Sequence, residues 1–180
     1  MNSIANVLDL ELNRGNIIEI GVTQVDLKNL SITMTSSFCI WPQPLPLQKD
    51  IINLTGLTDK KLESSGISLE KACSIIANNY GPRRLLVTDS DNELHPFNRK
   101  RTRRLNPFIG PQLNITNLFK IATNSFDKSL SLSNMLKVFD LEFEGTLHRA
   151  GDDSKNIARL FIIIMEILKE KNLTLKLENT

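Results

Sequence analysis

Residues 4 to 40 constrain the fold more than any other part of the chain. Three runs rich in apolar and β-branched residues lie there, at 4–10, 17–22 and 31–40. The segments between them, Arg14-Gly15-Asn16 and Lys28-Asn29, are short and contain residues that turns favour. Because strands joined by short turns pair antiparallel, this stretch predicts a three-stranded meander.

The rest of the chain alternates helical patterns with short apolar runs. Residues 85–87 and 113–115 are typical of strands, and helical spacing marks residues 51–58, 69–79, 118–122, 132–139 and about 152–171. The pattern predicts an α/β fold: a mixed sheet, with the antiparallel meander plus parallel strands, flanked by α-helices. We expect a single domain over residues 1–180, with a core from about 4 to 171 and a frayed C-terminal tail.

The composition of the chain limits the class of protein to which it can belong. The chain is 41% hydrophobic and 23% charged, as globular domains are, and no apolar run approaches the roughly 20 residues that span a bilayer. We therefore expect no membrane contact.

The first residues lack a secretory signal pattern, which predicts a cytoplasmic protein. Cys39 and Cys73 match no metal or redox spacing, so we expect both to be reduced, buried thiols. With a net charge of only +2, nucleic-acid binding would require local basic clusters.

His148 begins the stretch with the most chemical content. It lies in a glycine-containing turn just ahead of Asp152 and Asp153, and the apolar stripe of a long helix follows. A histidine and a carboxylate at the start of a helix are what metal-assisted hydrolysis requires. Such a site also needs carboxylates from elsewhere in the chain.

Two other segments offer those carboxylates. Asp9 and Glu11 alternate on the first strand, so they share a face about 6–7 Å apart. Asp89 and Asp91 follow a buried strand, where helix capping is the competing interpretation. The Asp-x-Glu pattern recurs at 91–93 and 140–142, which we interpret as solvated charge. Together the acids predict a two-metal phosphodiester hydrolase that uses Mg²⁺ or Mn²⁺, with a histidine free to act as base.

Several motifs resemble the DEDDh family of 3′–5′ exonucleases, which has the ribonuclease H-like fold. The resemblance covers about Val7 to Leu168 and fits the small enzymes that trim RNA 3′ ends. It rests on residues 9–11, 17–21, 54–58, 117–119 and, most specifically, 141–160.

The resemblance implies a role for each matching residue. Asp9, Glu11 and Asp153 match metal ligands, with Glu11 also meeting the terminal 3′ hydroxyl, and His148 matches the general base. Leu12 and Leu54 match residues that contact the terminal base. The implied activity uses two Mg²⁺ or Mn²⁺ ions and releases nucleoside 5′-monophosphates from a nucleic acid with a free 3′ end, RNA being favoured over DNA.

The middle motif departs from the family pattern. Family members usually carry Trp-Gly before the aspartate, whereas this chain has Val87-Thr88-Asp89-Ser90-Asp91. Counting from the missing pair places the metal ligand at Asp91, with Asp89 as the alternative. We therefore expect Asp91→Asn to be more damaging than Asp89→Asn. The departure also supports a second hypothesis, a catalytically weak module that binds nucleic acid or a protein partner.

A basic cluster lies between the middle motif and the next strand. Its dense part is Arg99, Lys100, Arg101, Arg103 and Arg104. Such a cluster is either a solvated surface or a set of phosphate contacts whose affinity falls with salt. On the second interpretation, Arg101, Arg103 and Arg104 bind the substrate.

Overall fold

The computed structural model describes residues 3–99, 102–126 and 130–170, and that part of the chain contains five strands and six α-helices. The strands are β1 Ile4–Asn13, β2 Asn16–Asp26, β3 Ser31–Cys39, β4 Leu85–Thr88 and β5 Gln112–Asn114. The helices are α1 Lys49–Thr55, α2 Asp59–Ser65, α3 Leu69–Tyr80, α4 Ile115–Thr123, α5 Leu132–Lys137 and α6 Ala150–Glu170. Two short 3₁₀ helices, His95–Asn98 and Arg103–Leu105, lie between β4 and β5.

All five strands form one mixed sheet in the order β3-β2-β1-β4-β5. Strands β1, β2 and β3 pair antiparallel through tight turns, and β4 and β5 add parallel to β1. The predicted meander and the predicted fold class are therefore confirmed. Strand β4 pairs with β1 only as far as Val7, so the second half of β1 extends beyond it.

The two faces of the sheet are covered by different helices. Ala5 and Val7 of β1 pack with α4, α5 and α6, whereas Leu8 and Leu10 pack with α3. Alternation along β1 therefore puts Asp9 on the face that α6 covers.

The middle helices agree in part with the predicted pattern. Gly56 ends α1 with a φ of 67°, a left-handed conformation that glycine adopts without strain. The separate helix α2, capped by the Thr58 side chain, was not predicted. Helix α6 begins at Ala150, two residues before the predicted start.

Helix α6 lies unusually close to strand β2. A Cβ atom at Gly21 would collide with the carbonyl group of Ala150, so only glycine permits this approach. Further along the helix, the Ser154 hydroxyl hydrogen-bonds the Thr23 hydroxyl of β2 at 3.0 Å. Because Gly21 is the cross-strand partner of Asp9, this contact brings the first turn of α6 beside Asp9.

Three further predictions concern the cysteines, membrane-spanning helices and the C-terminal tail. Both cysteines are free thiols; Cys73 is buried as expected, whereas Cys39 is only half-buried. Within the described ranges, no helix is both long and apolar enough to cross a membrane. The predicted C-terminal tail lies outside the described residues.

We expect Gly21→Ala to lower the free energy of unfolding by about 3 kcal/mol, because the obstacle to the new methyl group is backbone. Gly56→Ala is the matched control. No atom lies within 4 Å of the Cβ it would gain, so it costs only the left-handed penalty of about 1 kcal/mol. Urea unfolding of the two variants measures the difference, and equal losses would contradict the close packing of α6 on β2.

Candidate active site

Three carboxylates from two elements converge on the α6 face of the sheet. Asp9, Glu11 and Asp153 each place one carboxylate oxygen so that all three atoms lie within 4.8 Å of one another. Asp9 and Glu11 share a face because they alternate on β1. Asp153 reaches them from the first turn of α6, which Gly21 admits to this position.

The start of α6 fixes the direction of Asp153. The Arg149 backbone N–H donates to Asp153 Oδ2 at 2.9 Å, and the Asp153 N–H donates to the Arg149 carbonyl at 2.9 Å. Asp152 points elsewhere and accepts a hydrogen bond from the Thr146 backbone N–H at 2.8 Å. The two adjacent aspartate side chains therefore point in different directions, and that of Asp153 lies with Asp9 and Glu11.

The middle segment places Asp89, and not Asp91, with these acids. Val87 faces α6, and Asp89 follows it two residues later with its side chain in the same cavity as Asp9. Asp91 is exposed and does not line that cavity; it accepts a hydrogen bond from the Asn114 side chain at 3.0 Å. Thr116 Oγ1 donates to the Asp89 carbonyl at 2.8 Å, which ties this segment to α4.

The acids line a cavity of about 530 Å³ that also contains His148. Glu93 joins the four carboxylates already described in lining it. The lining also includes four neutral residues, Ser131, Leu132, Ser133 and Leu147. Cations held by the carboxylates could receive an anionic part of a ligand, and the neutral residues could contact an uncharged part.

His148 lies in the turn directly before α6 and is half-buried. Its φ of 61° is left-handed, which is uncommon for a residue with a side chain. Arg149, the next residue, forms two hydrogen bonds to Glu19 of β2, from Nε to Oε2 at 3.0 Å and from Nη2 to Oε1 at 2.6 Å. The turn that carries His148 is thus attached to the sheet.

The acids raise one another's pKa values. Burial, followed by the charge of Asp153, raises the pKa of Glu11 to about 7. Burial raises the pKa of Asp153 to about 6 and that of Glu93 to about 8, with Asp89 adding repulsion at both. The pKa of Asp9 rises well above its usual range through burial and the charges of its neighbours.

This electrostatic arrangement fits a site for divalent cations. Like charges at such distances repel strongly in a partly buried site, and bound cations relieve that repulsion. Carboxylate oxygens are the ligands that Mg²⁺ and Mn²⁺ prefer. Among the described residues that line the cavity there is no cysteine and one histidine, His148, so the donor set suits these ions better than zinc.

Those predicted substrate-binding residues that the structure describes do not line this cavity. Leu12 packs with the core cluster on the α3 face, and Leu54 on α1 is 49% exposed. Arg103 is exposed in the 3₁₀ helix at the end of the basic cluster, and Arg104 lines a separate depression beside α3. Arg101 lies outside the described residues.

Two residues of the site were missed from the sequence. Glu93 belongs to an Asp-x-Glu pattern that we interpreted as solvated charge, yet it is half-buried in the cavity. Glu19 was noted only as part of a motif, although it is fully buried and paired with Arg149. A charged residue within an apolar strand was the available signal for Glu19, because buried charges are paired.

Comparisons with known proteins place these features in context. The sequence model of the RNase_T family, described as Exonuclease, matches residues 7–161. A search of curated protein sequences gives no match.

Solved structures share the fold at low sequence identity. One is a 3′-exonuclease in specific recognition of the 3′ end of a histone mRNA stem-loop, at 20% identity and a TM-score of 0.75, covering 92% of this chain and 64% of that one. Another is the nuclease domain of 3′hExo, a DEDDh family member bound to rAMP, at 21% identity and a TM-score of 0.72, covering 92% of each chain. A third is E. coli Exonuclease I with a dA16 oligonucleotide, at 13% identity and a TM-score of 0.67, covering 94% of this chain and 43% of that one. This chain thus spans less than two thirds of the first relative.

The raised pKa values predict how cations and pH act together. Asp153, Glu11 and Glu93 keep protons in the folded protein up to about pH 6, 7 and 8, whereas the unfolded chain loses them near pH 4. The free energy of unfolding without metal should therefore fall as the pH rises from about 4 to 8. Because cations bind the ionised carboxylates, saturating Mg²⁺ should raise the melting temperature by about 5–10 °C at pH 8 and by much less near pH 5.

Thermal unfolding at both pH values measures this effect, with NaCl of equal ionic strength as the control. An equal shift at the two pH values, or the same shift with NaCl alone, would contradict specific binding of the cation by these acids.

Proposed function

The chain belongs to the exonuclease family, and we propose that it hydrolyses the phosphodiester bond at the 3′ end of a nucleic acid, releasing nucleoside 5′-monophosphates. The match to the exonuclease family model and the fold shared with a DEDDh family member agree with the expected resemblance, and the expected fold is confirmed. The observation that carries the proposal is the convergence of Asp9, Glu11 and Asp153 within 4.8 Å in a cavity that also holds His148.

Four carboxylates in the cavity are the proposed ligands of two Mg²⁺ or Mn²⁺ ions: Asp9, Glu11, Asp89 and Asp153. We assign the middle position to Asp89 instead of Asp91, because Asp89 lines the cavity and Asp91 bonds Asn114 outside it. When bound, such a pair of ions supplies charge stabilisation to the attacking and leaving oxygens of phosphoryl transfer.

His148 is the proposed general base. It is half-buried and lines the same cavity as the acids, where a neutral imidazole nitrogen can accept a proton from the attacking water. Glu11 is proposed to meet the terminal 3′ hydroxyl, since a carboxylate at the end of β1 can accept that hydrogen bond.

The four neutral residues that line the cavity are the proposed contacts for the terminal nucleoside. Leu132 and Leu147 offer apolar surface, and the hydroxyl groups of Ser131 and Ser133 offer polar contacts to the sugar. RNA is the favoured substrate class, because two of the similar structures concern histone mRNA and rAMP.

The position of Asp89 favours a hydrolase over a catalytically weak binding module. Asp89 supplies the middle acid of the site although the chain lacks the Trp-Gly pair that family members usually carry before it.

A nuclease assay on the purified chain tests the proposal. We expect loss of the terminal nucleotide from 3′-labelled RNA in Mg²⁺ or Mn²⁺ and none in EDTA. His148→Ala should lower kcat by about 10²–10⁴-fold, the usual contribution of a general base. Exposed His95→Ala, the matched control, should behave like the wild type. No release with either metal on RNA or DNA would overturn the proposed function.

Asp89→Asn and Asp91→Asn test the assignment of the middle ligand. Loss of a ligand removes several kcal/mol of charge stabilisation, so we expect Asp89→Asn to lower kcat by at least about 10²-fold. Asp91→Asn keeps the side-chain shape and should change kcat less than about fivefold, because it affects one exposed hydrogen bond. Initial rates at saturating metal measure both, and the opposite ranking would return the ligand to Asp91.

A further inference from the structure

Glu19 and Arg149 form the most enclosed ion pair among the described residues. The Glu19 side chain is fully buried, whereas that of Arg149 is 25% exposed. Two parallel hydrogen bonds at 2.6 and 3.0 Å join them, a geometry that fixes the orientation of the guanidinium plane. The two residues are 130 positions apart, so the pair joins the turn before α6 to the middle of strand β2.

Glu19 lies beside the metal-binding acids but is fully occupied. It is the cross-strand partner of Glu11 on the same face of the sheet. Its two oxygens accept hydrogen bonds from the Arg149 side chain, from Ser37 Oγ at 2.6 Å and from the Ala150 backbone N–H at 3.1 Å. Although burial alone would raise the pKa of Glu19, these donors hold it below its usual value. Glu19 is therefore a charged anchor without a free oxygen for a cation.

These contacts anchor the backbone that directly follows His148. Residues on its C-terminal side are held at three points: the Arg149 side chain on Glu19, the Ala150 N–H on Glu19, and the Arg149 N–H on Asp153. His148 itself has a φ of 61°, a conformation that persists only where the surroundings impose it. Releasing Arg149 would allow the turn to relax and the imidazole to leave its place on the cavity wall.

We propose that the Glu19–Arg149 pair is a positioning device that holds the His148 imidazole at the place where it acts as general base. The inference rests on the proposed function, and it adds two residues that contact neither the reacting atoms nor the cations. On this proposal Arg149 acts through the backbone of the turn, since its Nε and Nη2 groups both donate to Glu19.

Arg149→Lys is the decisive variant. It keeps the charge that buried Glu19 needs, but an ammonium group cannot form two parallel bonds in a fixed plane. We expect kcat to fall on the order of 10²-fold, the effect of a displaced catalytic group, with KM and Mn²⁺ affinity changed less than twofold. Glu19→Gln keeps the shape of the carboxylate and should give the same pattern.

A double-variant cycle separates positioning from a general structural role. If the pair acts through His148, Arg149→Lys should cause little further loss in a His148→Ala background, because the group it positions is already gone. Additive losses in the two backgrounds would overturn the proposal. A rise in KM with unchanged kcat would also overturn it, because Arg149 would then contact the substrate.

NMR of the metal-free protein gives a readout that does not depend on activity. The chain has two histidines, so the exposed His95 serves as an internal control. Arg149→Lys and Glu19→Gln should move the His148 ring signals towards those of a free histidine and leave the His95 signals in place. Unchanged His148 signals would overturn the positioning role, whereas a wild-type protein without nuclease activity would overturn only the proposed function.

Discussion

The close contact between the first turn of α6 and strand β2 is the constraint on which the candidate site depends. Gly21 removes the side chain that would keep the helix away, and Glu19, two residues earlier, receives Arg149 and the Ala150 N–H. The helix therefore starts at a fixed place on the sheet. Asp153 then reaches the two acids of β1, and His148 is held just outside the helix.

The same contact brings carboxylates close together, and their repulsion lowers the stability of the fold in the absence of cations. Asp9, Glu11, Glu93 and Asp153 have raised pKa values because each is buried and is repelled by other carboxylates, and burial alone raises the pKa of Asp89. Sites that bind ligands commonly carry strain of this kind, which the ligand relieves. Glu19 differs from these acids because it is paired with Arg149, whose positive charge acts at Glu11 against the repulsion from Glu19.

Much of the fold could be predicted from local pattern, because its signals are local. Alternation and tight turns specified the meander, and the same alternation placed Asp9 and Glu11 on one face. Helix α2 was missed, since it is short and separated from α1 only by Gly56, Leu57 and Thr58. Helix α6 was predicted from its apolar stripe, but its start depends on a contact with β2 that no local pattern contains.

The site was less predictable where it depends on the path of the chain after a strand. Asp89 and Asp91 have the same alternation, and only the turn after Thr88 decides which of them faces the cavity. The same turn brings Glu93 back to the cavity. In the sequence alone, its spacing from Asp91 is the same as that of an exposed pair of acids. The pairing of Glu19 with Arg149 links residues 130 positions apart and has no signature in either segment. The expected base contacts at Leu12 and Leu54 came from resemblance alone and do not line the cavity.

The position of bound metal tests the central claim most directly. A crystal structure of the protein with Mn²⁺ and a nucleoside 5′-monophosphate would locate the ions by their anomalous scattering. We expect two peaks about 3.5–4 Å apart, bound by Asp9, Glu11, Asp89 and Asp153, with the phosphate between the ions and His148. Ions bound at Asp91, or none in the cavity at saturating Mn²⁺, would contradict the account.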